Sequence, residues 1–149
     1  MSFSIREALP SDLDGLLVLY AQLNPSDPPL TDEVATPIFA DMLARTGMSV
    51  LVVVSGEQLV GSVTLVVLPN LTRGGAPYAL VENVVTHDQY RRQGIGKTLL
   101  AEAARRAEEM GCYKLMLMTS RSEPHVRGFY MDCGFSQNKI GFQIRFGGR

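Results

Sequence analysis

The sequence predicts an α/β fold of the α+β kind: a mixed, mostly antiparallel central sheet with one parallel βαβ crossover and about four helices. Three observations predict it. Apolar runs at residues 49–54 and 59–68 are separated by Ser55-Gly56-Glu57, a hairpin turn composition. A further apolar run at residues 78–86 precedes a long amphipathic pattern at 94–110, and a strand-like run follows at 113–118. Strand, helix and strand in that order form a right-handed crossover, which makes the two strands parallel.

Each element has its own signal. Residues 3–8 alternate as a short strand, with Phe3 and Ile5 on one face. Pro10-Ser11-Asp12 opens a helix carrying Leu13, Leu16, Leu17, Tyr20 and Leu23 at helical spacing, and Asn24-Pro25 stops it. After a proline-rich loop at 25–29, Thr31 or Asp32 caps a second helix running to about residue 45, expected to be a mobile cover. The hairpin then brings the chain back antiparallel, and a polar loop at 69–77 contains Arg73. The run 78–86 is apolar on both faces, as a central strand requires. In 94–110, Ile95, Leu99, Ala103 and Ala107 make a buried stripe opposite Glu102, Arg105, Arg106 and Glu109, and Gly111 ends the helix. Ser122-Glu123-Pro124 opens a short helix through Met131, which ends near Gly134. The tail at 138–146 is expected to complete the sheet.

A chain of 149 residues with 46% hydrophobic content is expected to form one domain over 1–149 and to bury a sizeable core unaided. A net charge of −1 and a pI near 6.1 argue against a nucleic-acid or membrane-surface protein, whose affinity comes from a basic face. Cys112 and Cys133 have neither metal nor redox spacing and read as small core residues in a reducing compartment, with a disulfide as the alternative. No metal is expected. With neither a signal region nor a spanning apolar run, the expected location is the cytoplasm.

Against that neutral background, Gln89-Tyr90-Arg91-Arg92-Gln93-Gly94-Ile95-Gly96-Lys97-Thr98 stands out. Glycines let successive N–H groups turn inward, and the helix that follows adds its unpaired donors and the positive end of its dipole. Arg91, Arg92 and Lys97 add full charge, so the segment is built for a phosphate or pyrophosphate. It is not a P-loop, whose first glycine would fall on Arg91, nor a dinucleotide fingerprint, whose third would fall on Leu99. Arg91-x-x-Gly94-x-Gly96 instead resembles the pyrophosphate signature of the GNAT acyltransferases.

The resemblance extends along the chain. Its carriers are Ile5-Arg6-x-Ala8, Val84-Val85-Thr86 leading into the Arg91–Gly96 segment, and Gly128-Phe129-Tyr130-x-x-x-Gly134-Phe135. Within the superfamily, Val81-Glu82-Asn83-Val84-Val85 and Gly111-Cys112-Tyr113-Lys114 are similar to glucosamine-phosphate N-acetyltransferases, and the segment before Phe129 to aminoalkylphosphonate-type enzymes. The resemblance implies a single GNAT domain with acetyl-coenzyme A as co-substrate. It implies that amides from Arg92 through Thr98 (Arg92, Gln93, Gly94, Ile95, Gly96, Lys97, Thr98) hold the pyrophosphate, and that Val84 and Val85 offer backbone groups to the pantetheine arm. Glu123 departs from the asparagine common at its position.

Acyl transfer to an amine needs held reactants, a base for the ammonium, donors for the oxyanion and an acid for the thiolate. Glu82, set in an apolar strand, is the candidate base, because burial raises a carboxyl pKa toward working pH; a structural carboxylate is the alternative. Asn83 beside it marks a bulge or bonds a substrate hydroxyl. Tyr130 is the candidate acid by its place in the resemblance, against a packing role common for tyrosine. The oxyanion donor would be the Val84 or Val85 N–H, freed by a bulge. His87 and His125 read as surface or capping residues, and Arg73, Arg121 and Arg127 as weaker candidates for an anionic acceptor.

The expected function is N-acetyl transfer to a small primary amine, an amino sugar phosphate or aminoalkylphosphonate-like molecule, by direct attack in a ternary complex. A protein amine acceptor and a non-catalytic acyl-coenzyme A sensor remain as alternatives. Partners are expected to include neither nucleic acid nor membrane. The alternation Ile140, Phe142, Ile144, Phe146 points to a homodimer or to a strand inside its own sheet.

Overall fold

The computed structural model describes residues 2–149. Its elements are β1 (Ser4–Glu7), α1 (Leu13–Leu23), α2 (Asp32–Ala44), β2 (Met48–Ser55), β3 (Gln58–Leu68), β4 (Tyr78–Thr86), α3 (Ile95–Glu109), β5 (Leu115–Met116) and α4 (Pro124–Asp132). The chain forms two compact units, Met1–Leu117 and Met118–Arg149.

In the first unit the five strands lie in chain order, β1-β2-β3-β4-β5. All neighbours are antiparallel except β4 and β5, which pair in parallel. The parallel pair is the consequence of α3 lying between the two strands in sequence.

Alternation along β2 sorts the core into two layers. Val50 and Val52 face α1 and α2, packing with Leu16, Leu19, Phe39 and Leu59. Val53 points the other way and pairs with Gly61, whose missing side chain leaves room for α3. A Cβ on Gly61 would lie 2.6 Å from Ile95 Cγ2, so glycine sets how closely α3 approaches the sheet. Leu59 and Gly61 serve opposite faces although two residues apart. A bulge between the pairs Val53↔Gly61 and Val54↔Leu59 leaves Val60 as the extra residue.

Helix α3 presents the expected stripe: Ile95, Leu99, Ala103 and Ala107 are buried, joined by Leu100. Each fully buried Ile or Leu contributes about 1.5–3 kcal/mol, so this stripe outweighs the exposed Arg105–Glu102 and Arg105–Glu109 pairs on its outer face. In α1, Leu19 rather than Leu17 joins Leu16 in the core.

Two expectations are corrected. The strand expected at 113–118 is ordered as a ladder only at Leu115–Met116, paired with Ala79 and Leu80. The pairing stops at Leu80, before the bulge that β4 makes at Asn83 and Val84. The tail at 138–146 does not complete the sheet. It forms no strand, and Ile140, Phe142, Ile144 and Phe146 are 78–94% exposed. Alternation makes a segment suitable for a ladder but cannot supply the neighbouring strand.

Candidate active site

The loop into α3 is shaped by two left-handed residues, Arg92 (φ 63°) and Gly94 (φ 81°). Gly94 is the N-cap, and no side chain caps the helix. Thr98 N donates to Gly94 O at 3.0 Å, which starts the helical ladder and leaves the preceding first-turn amides outside it. Ile95 is buried and anchors the turn, while Arg91, Arg92, Gln93, Gly94, Lys97 and Thr98 are exposed. Uncapped amides, the dipole and three cations fit a pyrophosphate.

This loop is tied to the sheet through the turn before it. His87 N donates to Val60 O at 2.8 Å, and Asp88 N to Gln22 Oε1 of α1 at 2.8 Å. The Tyr90 hydroxyl donates to Gln58 Oε1 at 3.2 Å. His87 is buried, and its Nδ1 accepts the Gln89 N–H at 3.2 Å, so its role here is capping. Gln22 and Gln58 are anchors that the sequence did not reveal, because each bond spans distant elements.

The middle of β4 carries the second feature. The pairs Ser62↔Val85 and Thr64↔Glu82 leave Val63 opposite both Asn83 and Val84, and Asn83 adopts φ 53°. This is a bulge at the position expected for one. Past Leu80, β4 has no parallel partner in the ladder, so Val84 and Val85 lie beyond the β4–β5 pairing. Glu82 is exposed, which corrects the expectation of a carboxylate sunk in an apolar strand. Its side chain shares the α1 face with Thr64, because directly paired residues point the same way.

Behind Glu82, on the same face, the buried Tyr20 hydroxyl lies close to Thr64 Oγ1, and neither atom makes a hydrogen bond of good geometry. Burial raises the Tyr20 pKa, with Thr64 and Ser62 opposing the shift. Ser62 Oγ donates to Leu51 O at 2.9 Å.

In the second unit, α4 begins at N-cap Glu123 with Pro124 in its first turn. Tyr130 is half-buried, and its ring meets Phe129 and Phe135 edge-on at centroid distances of 5.2 and 6.1 Å. Burial pushes the Tyr130 phenol up from its ordinary value, and the neighbouring Cys133 adds to that shift. A phenol so placed keeps its proton at neutral pH. Cys112 and Cys133 are thiols, and burial raises the Cys112 pKa. No group of three metal-ligating side chains occurs among the described residues, nor is any helix long and apolar enough to cross a membrane.

A mixed sheet with one parallel β4–β5 pair and an uncapped, cationic helix start after β4 is the architecture of an acetyl-coenzyme A-dependent N-acetyltransferase. The chain belongs to the acetyltransferase (GNAT) family, whose model matches residues 16–135, and acetyl-coenzyme A is its co-substrate. It is 35% identical over 128 residues to a glucosamine 6-phosphate N-acetyltransferase of Trypanosoma brucei brucei, covering 84% of this chain and 83% of that one. The glucosamine 6-phosphate N-acetyltransferase 1 of Oryza sativa subsp. japonica is 31% identical over 136 residues, covering 89% and 79%. Among solved structures, a putative acetyltransferase from Agrobacterium tumefaciens matches with a TM-score of 0.93 and 50% identity, covering 95% of this chain and 99% of that one.

Proposed function

We propose that this chain moves the acetyl group of acetyl-coenzyme A directly onto the primary amine of a small acceptor bearing an anionic group, an amino sugar phosphate or an aminoalkylphosphonate-like molecule. The carrying observation is the similarity to glucosamine 6-phosphate N-acetyltransferases over more than four fifths of the chain. The family match runs through the junction at Leu117–Met118, which supports the two units working as one acetyltransferase domain.

In this reading Arg91, Arg92, Gln93, Gly94, Ile95, Gly96, Lys97 and Thr98 bind the pyrophosphate, and Val84 and Val85 meet the pantetheine arm. Holding both reactants in line is worth about 7–11 kcal/mol, more than any one proton transfer. Glu82 takes the ammonium proton through a water, a route its exposure supports. The backbone at the Asn83 bulge turns an N–H of Val84 or Val85 toward the oxyanion. Tyr130, kept protonated by burial, gives its proton to the departing thiolate. Cytoplasmic location remains part of the proposal. So does a homodimer, supported by the exposed apolar tail.

Thiol release from acetyl-coenzyme A against amino sugars and their phosphates, aminoalkylphosphonates, polyamines, amino acids and a lysine peptide tests the reading. Turnover with the phosphorylated or phosphonate amines supports it. Turnover with the peptide alone assigns a protein acceptor, and cofactor binding without turnover assigns a sensor.

A further inference from the structure

The loop into α3 is fixed at its two ends by very different means. At the far end, Ile95 and the buried stripe behind it anchor the helix. The near end is a single short turn, Asp88–Tyr90, capped by His87. Between them Arg92 keeps a left-handed backbone, φ 63°, which an arginine holds only where its surroundings enforce it. The shape of the loop therefore depends on how firmly that turn is held.

Hydrogen bonds tie the turn to three other segments. His87 N donates to Val60 O at 2.8 Å, Tyr90 N to His87 O at 2.9 Å, and Asp88 N to Gln22 Oε1 at 2.8 Å. The Tyr90 hydroxyl donates to Gln58 Oε1 at 3.2 Å, and Gln89 N donates to His87 Nδ1 at 3.2 Å. Amides, carbonyls and a phenol make the other bonds. The Gln89 bond alone ends on an imidazole, the side chain that in ordinary surroundings changes charge between about pH 5 and 8.

That nitrogen has two neighbours and can serve only one of them. Accepting from Gln89 N assigns a neutral ring with its proton on Nε2. The same Nδ1 lies 3.2 Å from Asp88 Oδ1. Two acceptors face each other there, and the contact becomes attractive only when Nδ1 gains a proton. Once protonated, Nδ1 donates to Asp88, and the Gln89 amide loses its acceptor.

The surroundings of the ring do not oppose its charging. His87 meets the Tyr90 ring edge-on at 5.6 Å and lines a cleft of about 530 Å³. The titratable groups that face it are Asp88 and Tyr90 on its own turn, Asp12 at the start of α1, and Glu57 in the β2–β3 turn. Asp12 is bound by Arg6. Among the described residues, no Lys or Arg lines the cleft.

We propose that His87 is a positioning residue of the acetyl-coenzyme A site: its neutral Nδ1 holds the turn that aims the loop into α3, and protonation moves that nitrogen from Gln89 to Asp88 and loosens the loop. Affinity for acetyl-coenzyme A then falls as the histidine gains charge. The proposal rests on the reading that residues 91–98 hold the pyrophosphate, and its test needs no amine acceptor.

Calorimetric titration with acetyl-coenzyme A, from about pH 8 down to about pH 5.5, would compare wild type with His87→Asn and His87→Phe. Asparagine places Oδ1 where histidine has Nδ1, so it accepts from Gln89 N without titrating. Phenylalanine keeps a ring against Tyr90 but offers no acceptor. The ligand carries a phosphate monoester that itself titrates near pH 6, so the readout is the difference between proteins at each pH. Lys97→Gln tests the loop reading separately, and thermal unfolding checks that each variant folds.

A hydrogen bond of this kind shifts an equilibrium about two- to tenfold. Wild type should bind like His87→Asn near pH 8 and at least twofold more weakly than it near pH 5.5. His87→Phe should bind weakly at both. Parallel curves for wild type and His87→Asn overturn the proposal, as does full affinity in a folded His87→Phe. If those curves are parallel while Lys97→Gln weakens binding, the loop reading stands without the histidine. If they diverge while Lys97→Gln binds normally, His87 governs coenzyme affinity and the loop reading falls.

Discussion

Asn83 carries the geometry on which the proposed chemistry depends, because its left-handed backbone creates the bulge in β4. Asparagine tolerates that conformation, whereas a β-branched residue pays about 1–2 kcal/mol for it. Asn83→Val is therefore expected to lower stability by about that amount in urea unfolding, and Asn83→Gly to leave it nearly unchanged. Identical midpoints for the two variants would mean that the bulge does not require a left-handed residue. For the proton transfers, Glu82→Gln and Tyr130→Phe should each lower kcat roughly a hundredfold with little change in the acetyl-coenzyme A KM. The Tyr130 pKa is raised, so the phenol stays protonated beyond the ordinary tyrosine range. The alkaline fall in activity assigned to this acid should then lie above pH 10, measured as kcat against pH, and be absent in Tyr130→Phe.

At the level of elements, the placement of α3 decides where the loop proposed to hold the pyrophosphate sits. Its buried stripe supplies adhesion, and Gly61 sets the distance. Gly61→Ala would bring a methyl to 2.6 Å from Ile95 Cγ2 and 3.1 Å from Leu99 Cδ1, so the packing between α3 and the sheet must give. Such overpacking costs about 1–3 kcal/mol, and the displaced loop should raise the acetyl-coenzyme A KM. Adding Ile95→Leu removes that γ-methyl and is expected to recover part of both losses. Failure of the second substitution to help either quantity would show that the close contact does not position the loop. The outer face of α3 matters less. Arg105 and Arg106 hold the Glu102 carboxyl down to about 2, yet these bonds are largely solvent-exposed and add little to stability.

For the molecule as a whole, the bond between its first strand and first helix gives a pH signature. Arg6 binds Asp12 through two guanidinium nitrogens at 2.6 and 3.0 Å, and Leu9 N donates to the same carboxylate at 2.7 Å. The Arg6 bonds, with Leu9 N assisting, hold the Asp12 pKa below its ordinary value despite its burial. A depressed carboxyl contributes stability that is complete above the unfolded value, about 3.9, and is lost as pH falls through the folded value. Asp12→Asn should cost about 1–3 kcal/mol at pH 7, and the difference from wild type should shrink below about pH 4. A difference independent of pH would assign the cost to packing instead. The tail makes a separate claim on the assembly, since four large apolar side chains alternate in open solvent. If a second copy covers them, Phe142→Glu should shift the sedimentation coefficient toward that of a monomer.

The sequence by itself determined the order of strands and helices, the hairpin, the parallel crossover and the glycine-bearing, cationic start of α3. Those features follow from local periodicity and glycine placement, which neighbouring residues settle among themselves. It also offered Asn83 as a bulge position or a partner for a substrate hydroxyl, and the backbone there is a bulge. Tertiary structure alone decided that Glu82 faces solvent, that β5 pairs over only two residues, and that the tail joins no ladder. It alone brought Arg73, Tyr78, Tyr113 and Lys114 together, and tied His87 to Val60 and Asp88 to Gln22. Each of these depends on register and on contacts between distant segments, and a strand's pattern specifies which faces are apolar without specifying which partner lies beside it.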